Sequence, residues 1–219
     1  MQLIGMLDSP YVRRVAVSLQ LLGLPFEHRA LSVFRNFEQF QQINPLVKAP
    51  TLVCDDGTVL MDSTLILELA EYLAAPARSL MPTGIAERQQ ALRVIGLGLA
   101  ACEKSVQMIY ERELRPVEKQ HEPWLTRITG QLLAAFDALE AELLRRPLAV
   151  DSIDQAGITT AVAWRFSHGM LPERLDGARF PTLQRFSESA ERLPAFAAAP
   201  HGLDTYQAVE KLPTLPIRR

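Results

Sequence analysis

Cysteine is scarce in this chain of 219 residues, and the two present, Cys54 and Cys102, form no C-x-x-C pair. That excludes a disulfide framework and a paired-thiol redox motif. Two isolated thiols read as reduced, buried side chains of a cytoplasmic protein. Histidine is sparse as well. His28, His121, His168 and His201 are scattered, and none stands with a cysteine at zinc-ligand spacing, so no metal site is expected. Neither sign of charge dominates. There are 23 Lys and Arg against 25 Asp and Glu, a net charge of −2, and no basic run longer than two residues. A nucleic-acid binder carries a basic stripe, so nucleic acid is not an expected partner. Long hydrophobic runs are missing too. The longest stretch of apolar residues and glycine, Val94 to Cys102, falls far short of the ~20 residues that span a bilayer. The opening MQLIGMLDSP has no basic region ahead of its apolar residues and does not read as a secretory signal. A cytoplasmic protein without membrane association is the expectation.

What the chain does have is 48% hydrophobic residues, enough for a proper core, and only 22% charged residues, too few for wholesale disorder. Its length suits two domains, at roughly 100–200 residues each. Residues 2–6 predict a short strand. Val12, Val15, Ala16, Leu19 and Leu22 then follow the i, i+3, i+4, i+7 spacing of a helix, with Arg13, Arg14, Ser18 and Gln20 mostly on its other faces. Residues 25–33 predict a second strand, and a loop or short helix closes at Asn44-Pro45. Apolar runs at Thr51–Cys54 and Val59–Met61 flank Asp55-Asp56-Gly57, a hairpin signal. Residues 63–75 carry a helical stripe at Leu65, Ile66, Leu69, Ala70 and Leu73.

Prolines and a glycine in residues 76–84 mark a linker. Beyond it only helices are predicted: 85–115, weakened in the middle by Gly96 and Gly98; 123–145; one opening with Ser152 and Gln155 as a capping box; 181–193; and a short one at 194–199. Pro200 onward reads as irregular. The division is therefore an α/β domain over residues 1–80, a linker at 81–84 and an all-helical domain over 85–219.

Three stretches have strong local grammar. Ser9 is a good N-cap, Pro10 a good first helical residue and Gly23 a good helix stop. Pro50 enters the third strand, where proline is tolerated. Asp62-Ser63 opens a helix, as either residue can. By itself, none of these demands a ligand.

Taken together, Ser9-Pro10-Tyr11, Lys48-Ala49-Pro50-Thr51-Leu52 and Asp62-Ser63 at this spacing resemble the glutathione S-transferase family. The likeness spans the whole chain, including the Leu80-Met81-Pro82 linker. It implies a thioredoxin-like N-terminal domain followed by an all-helical C-terminal domain. It implies glutathione as co-substrate, with no other cofactor. It further implies a cis peptide bond before Pro50 and pairing of the Ala49 backbone with the cysteinyl residue of glutathione. The γ-glutamyl carboxylate would lie at Ser63, where a helix N-terminus suits an anion. Asp62 would help hold the ligand's ammonium, and Lys48 would be a partner for the glycyl carboxylate. Arg35 or Asn36 could reach that same end.

Ser9 would be the catalytic residue. A thiol of pKa ≈ 8.5 is mostly protonated at neutral pH, and a hydroxyl donor strengthens toward sulfur as the thiolate forms. Arg13 and Arg14 follow one turn on as nearby cations. A cysteine at the Ser9 position goes with reductase chemistry in that family, so serine points to conjugation of glutathione to a small electrophile. The alternatives are a non-catalytic glutathione- or ligand-binding protein of the same fold, and a glutathione-dependent reductase or peroxidase. Met108, Tyr110 and Arg112 are electrophile-pocket candidates by position only. A homodimer is implied, with the N-terminal domain of one subunit against the helical domain of the other.

Overall fold

The structure, a computed structural model, describes residues 1–202. Its described residues divide into two compact units, Met1–Pro82 with residues 191–202, and Thr83–Ala190. Residues 191–202 thus group with the first unit, whereas the sequence reading places them in the helical domain. Most of the irregular segment expected from Pro200 onward lies outside the described residues.

The first unit is built on a four-stranded sheet of order β2-β1-β3-β4. Strand β1 (Gln2–Ile4) runs parallel to β2 (Glu27–Arg29), and the chain crosses between them through helix α1 (Pro10–Leu22). Strand β3 (Thr51–Val53) is antiparallel to β1, with Leu3 opposite Leu52. The Asp55-Asp56-Gly57 turn returns the chain as β4 (Val59–Met61), antiparallel to β3, with Leu52 opposite Leu60. Helix α2 (Phe37–Ile43) precedes β3 and α3 (Ser63–Ala74) follows β4. This is the thioredoxin-like arrangement. Helix α1 ends in a Schellman motif: Gly23 takes φ 74°, its N–H donates to the Gln20 carbonyl, and Leu24 N–H donates to Leu19.

Helix α1 departs from the amphipathic expectation in one respect. Its polar residues are not solvated: Arg13, Arg14, Ser18 and Gln20 are all buried. The helix lies against α3 and against α8 (Pro194–Ala198), so the face that would meet water is covered inside the same unit.

The second unit is all helical: α4 (Ile85–Glu113), α5 (Glu122–Arg145), α6 (Gln155–Met170) and α7 (Pro181–Ala190). Helix α6 is its centre, buried from Gln155 through Trp164, with α4 and α7 against it. Phe136, Trp164 and Phe180 form an aromatic cluster, with edge-on contacts of 5.3 Å for Phe136–Trp164 and 5.5 Å for Trp164–Phe180. Two local expectations are corrected. Helix α6 is capped by Asp154, whose carboxylate accepts from Gly157 N–H at 2.9 Å. Gln155 is then the first helical residue and cannot complete a box with Ser152. Gly98 is no mere weak point either, since a Cβ there would lie 3.0 Å from Thr159 Cγ2, so its lack of a side chain lets α4 approach α6.

Candidate functional site

Ser9 sits in extended backbone (φ −71°, ψ 123°), and its Oγ accepts from Val12 N–H at 3.4 Å. That is a long capping bond. It uses a lone pair of the hydroxyl and leaves the proton, which has no acceptor among the described residues. Asp8, just before it, has its carboxyl pushed up by burial, against the lowering influence of the Ser9 N–H and the Arg35 guanidinium.

Ala49 lies close to the first turn of α1, with Gly5 between them. A Cβ on Gly5 (φ 137°) would fall 2.6 Å from Val12 Cγ2 and 3.1 Å from Ala49 Cβ. Only glycine has both the conformation and the size for that place. The Ala49–Pro50 peptide bond is cis, as the family resemblance implies. Neither the N–H nor the C=O of Ala49 has a hydrogen-bond partner among the described residues.

A buried polar clamp frames this segment. The Asn44 amide donates to Thr51 Oγ1 at 2.8 Å and accepts from Leu46 N–H at 3.0 Å. Thr51 Oγ1 donates in turn to the Lys48 carbonyl at 2.6 Å. Within it Val47 takes φ 46°, an uncommon value for a β-branched residue. The network holds the chain on both sides of Ala49 and Pro50.

Asp62 caps α3, accepting from Thr64 N–H at 2.9 Å, in a backbone of φ 67°, ψ 126°. Such a conformation costs on the order of 1–3 kcal/mol. The N–H groups of Ser63 and Leu65 have no acceptor among the described residues, the usual condition of a helix's first turn. The Lys48 ammonium stands 3.7 Å from the Asp62 carboxylate, both side chains about half exposed. Lys48 and Asp62 are thus ion-pair partners in this structure. Arg35 is exposed, and Asn36 accepts from Ser32 N–H at 3.1 Å.

The two arginines of α1 part company. Arg13, fully buried, donates through Nη1 and Nη2 to the two oxygens of Glu191, each at 2.6 Å, and through Nε to the Ala199 carbonyl at 2.7 Å. Arg14 donates through Nη1 to Ser63 Oγ at 3.0 Å and to Thr64 Oγ1 at 3.3 Å. Gly5, the Asn44–Thr51 clamp and the Arg14–Ser63 bond are supports that the sequence reading did not name. The Asn-Pro at 44–45 was the available signal for the clamp, read there only as the end of a short helix.

Elsewhere, Met108 is fully buried and belongs to the core of the second unit, Tyr110 is 43% exposed, and Arg112 pairs with Glu173 at 3.2 Å. Neither Cys54 nor Cys102 is in a disulfide, and neither is at the first turn of α1. Burial and the neighbouring Asp56 and Asp55 push the Cys54 thiol up, away from a reactive thiolate. Among the described residues no helix is long and apolar enough to cross a membrane, and no group of three or more His, Cys, Asp or Glu could hold a metal ion.

Comparison with known proteins agrees with this architecture. Residues 3–78 match the family model of the glutathione S-transferase N-terminal domain. The uncharacterized GST-like protein YibF of Escherichia coli (strain K12) is 29% identical over 164 residues, 74% of this chain and 80% of that protein. A glutathione S-transferase from Methylobacterium radiotolerans, solved with glutathione sulfonate, matches at a TM-score of 0.83 and 27% identity, covering 97% of this chain and 99% of its own. A glutathione transferase family member from Pseudomonas fluorescens Pf-5, solved with bound glutathione, matches at 0.79 and 29%, covering 95% and 99%. The chain is thus similar to glutathione S-transferases over nearly its whole length, and residues 3–78 match that family's N-terminal domain.

Proposed function

We propose that this chain binds glutathione in its N-terminal unit, stabilises the thiolate and conjugates it to a small electrophile. Glutathione is a co-substrate here, not a resident cofactor. The reading rests on one observation: Ser9, Ala49 and the first turn of α3 all present hydrogen-bonding groups without partners among the described residues, in the segment that matches the family model. The Ser9 hydroxyl donates to the sulfur and stabilises the charged form, while its lone pair keeps capping α1. The N–H and C=O of Ala49 pair with the cysteinyl backbone across the Ala49–Pro50 edge. The α-carboxylate of the γ-glutamyl group takes the N–H groups and hydroxyl at Ser63, and its ammonium takes Asp62. Lys48 leaves Asp62 as the ligand enters and turns to the glycyl carboxylate. Two cysteines outside any disulfide fit action in the cytoplasm, and the family likeness supports a homodimer, which sedimentation tests.

A titration with glutathione, read by calorimetry and by the ultraviolet absorbance of bound thiolate, tests the reading. Saturable binding is expected, with the thiol of the bound ligand titrating below its value in water. No binding at millimolar glutathione would remove the assignment. Saturable binding without turnover on a panel of aryl halides, enones and epoxides would favour the non-catalytic alternative.

A further inference from the structure

We propose that Arg14 is a positioning residue for the carboxylate that binds at the first turn of α3, acting through the hydroxyl of Ser63. The proposal rests on the glutathione reading above and concerns one end of that ligand.

The inference comes from counting donors. A guanidinium has only N–H donors, and a serine hydroxyl has one proton and two lone pairs. Arg14 Nη1 lies 3.0 Å from Ser63 Oγ, so the arginine donates and the serine accepts. The Ser63 proton is then left for another acceptor. The same Nη1 is 3.3 Å from Thr64 Oγ1, which fixes that hydroxyl in the same sense. Both side chains are thereby set as donors beside the N–H groups of Ser63 and Leu65, which have no acceptor among the described residues. Donors of one sense on a helix N-terminus, with a buried cation directly behind them, select an anion. The bond from the cation polarises the Ser63 O–H and strengthens its onward bond to a carboxylate.

Arg14 is held for this role. It is 3% exposed and projects from a helix that is buried from Val12 to Leu22. Ser18 Oγ donates to the Arg14 carbonyl at 2.7 Å, within the same covered face. Lysine is not equivalent at this position, because a single ammonium lacks the planar fork. The arginine does not need to touch the ligand. It sets which way Ser63 points.

The test compares two ligands: glutathione, and 4-aminobutanoyl-cysteinylglycine, which keeps the amine and lacks only the α-carboxylate of the γ-glutamyl group. Dissociation constants are measured by calorimetry for the wild type, Arg14→Met, Arg14→Lys, Ser63→Ala and Arg14→Met/Ser63→Ala. Arg14→Met is expected to weaken glutathione about tenfold, the size of one charge-assisted hydrogen bond, and the decarboxylated ligand less than about twofold. Arg14→Lys should fall between wild type and Arg14→Met, and it carries the same comparison if Arg14→Met does not fold. The double variant should bind glutathione about as well as Ser63→Ala alone, because the arginine works through the serine. Equal losses for both ligands, or additive losses in the double variant, would show an ordinary structural arginine and overturn the proposal while leaving the glutathione reading intact. A wild type that binds neither ligand would overturn both.

Discussion

Replacing Arg13 by methionine separates two roles this residue could have. The side chain is fully buried and spends its donors on Glu191 and on the Ala199 carbonyl, with its guanidinium carbon 5.5 Å from the centre of the Phe196 ring. Methionine fills similar volume but leaves the Glu191 carboxylate without its cation and the carbonyl without its donor. Breaking a buried pair by removing one partner costs about 3–5 kcal/mol. Glu191 keeps 26% of its side chain in water, which lowers the expected loss to about 2–4 kcal/mol. With a urea m-value of about 1–3 kcal/mol/M, the unfolding midpoint should fall by about 1 M or more. Replacing Glu191 by leucine in the same chain should restore much of the loss, because no buried charge is then left alone. The thiol pKa of bound glutathione should stay within a few tenths of the wild-type value. The opposite pattern, an unchanged urea midpoint with a thiol pKa raised by a unit, would refute this account and return Arg13 to the sulfur.

Ser9→Ala should raise the thiol pKa of bound glutathione by about one unit, since a hydrogen bond to a charged group is worth about 1.5–3 kcal/mol and part of it is replaced by water. An unchanged thiolate titration and unchanged conjugation rate would leave Ser9 a cap alone. Gly5→Ala places a methyl 2.6 Å from Val12 Cγ2 and 3.1 Å from Ala49 Cβ, at φ 137°; both the melting temperature and glutathione affinity should fall, and loss of neither would mean that α1 and Ala49 tolerate displacement. Hydrogen bonds from Arg93, Arg145 and Gln90 hold the Glu142 carboxyl well below its usual range, at about 2. The stability this contributes is present above the ordinary carboxylate range and is lost as pH falls through the folded value, so Glu142→Gln should flatten the acid limb of the stability curve between about pH 4.5 and 2; an identical limb in the variant would place the acid sensitivity elsewhere.

The elements governed by local chemistry were legible in the sequence. Helix α1 starts and stops at its cap, proline and glycine, and β4 and α3 begin where the Asp-Gly turn and Asp62 place them. What was not legible depends on partners distant in the chain. The Arg13–Glu191 pair closes a separation of 178 residues, and no periodicity predicts that a polar helix face is covered by a segment so far away. Asp154 and Ser152 are both good caps two residues apart, and only the backbone chose between them. The positive φ of Val47 and Asp62 falls on residues that do not advertise it. The strand expected over 25–33 shrinks to Glu27–Arg29 because it is an edge strand with one neighbour, β1, and only three paired positions.

Successive residues on a helix point about 100° apart, and α1 uses that separation. Arg13 turns to the segment 191–199, while Arg14 turns to the first turn of α3. Ser9, at the end of the same helix, needs no tether of its own, because its place follows from the axis of a helix buried from Val12 to Leu22. A donor set by the backbone in this way loses little freedom when a thiolate arrives, and that is the condition under which a single hydroxyl is most effective at stabilising charge. Two costs follow from the arrangement. Buried guanidinium groups must find every partner, and Asp62 must hold a strained backbone. Both fall on residues outside the core of the sheet, where Leu3, Ile4 and Leu52 are buried without any polar demand. Loosening Arg14 should therefore disturb the site before it disturbs the strand order, whereas loosening Arg13 costs stability.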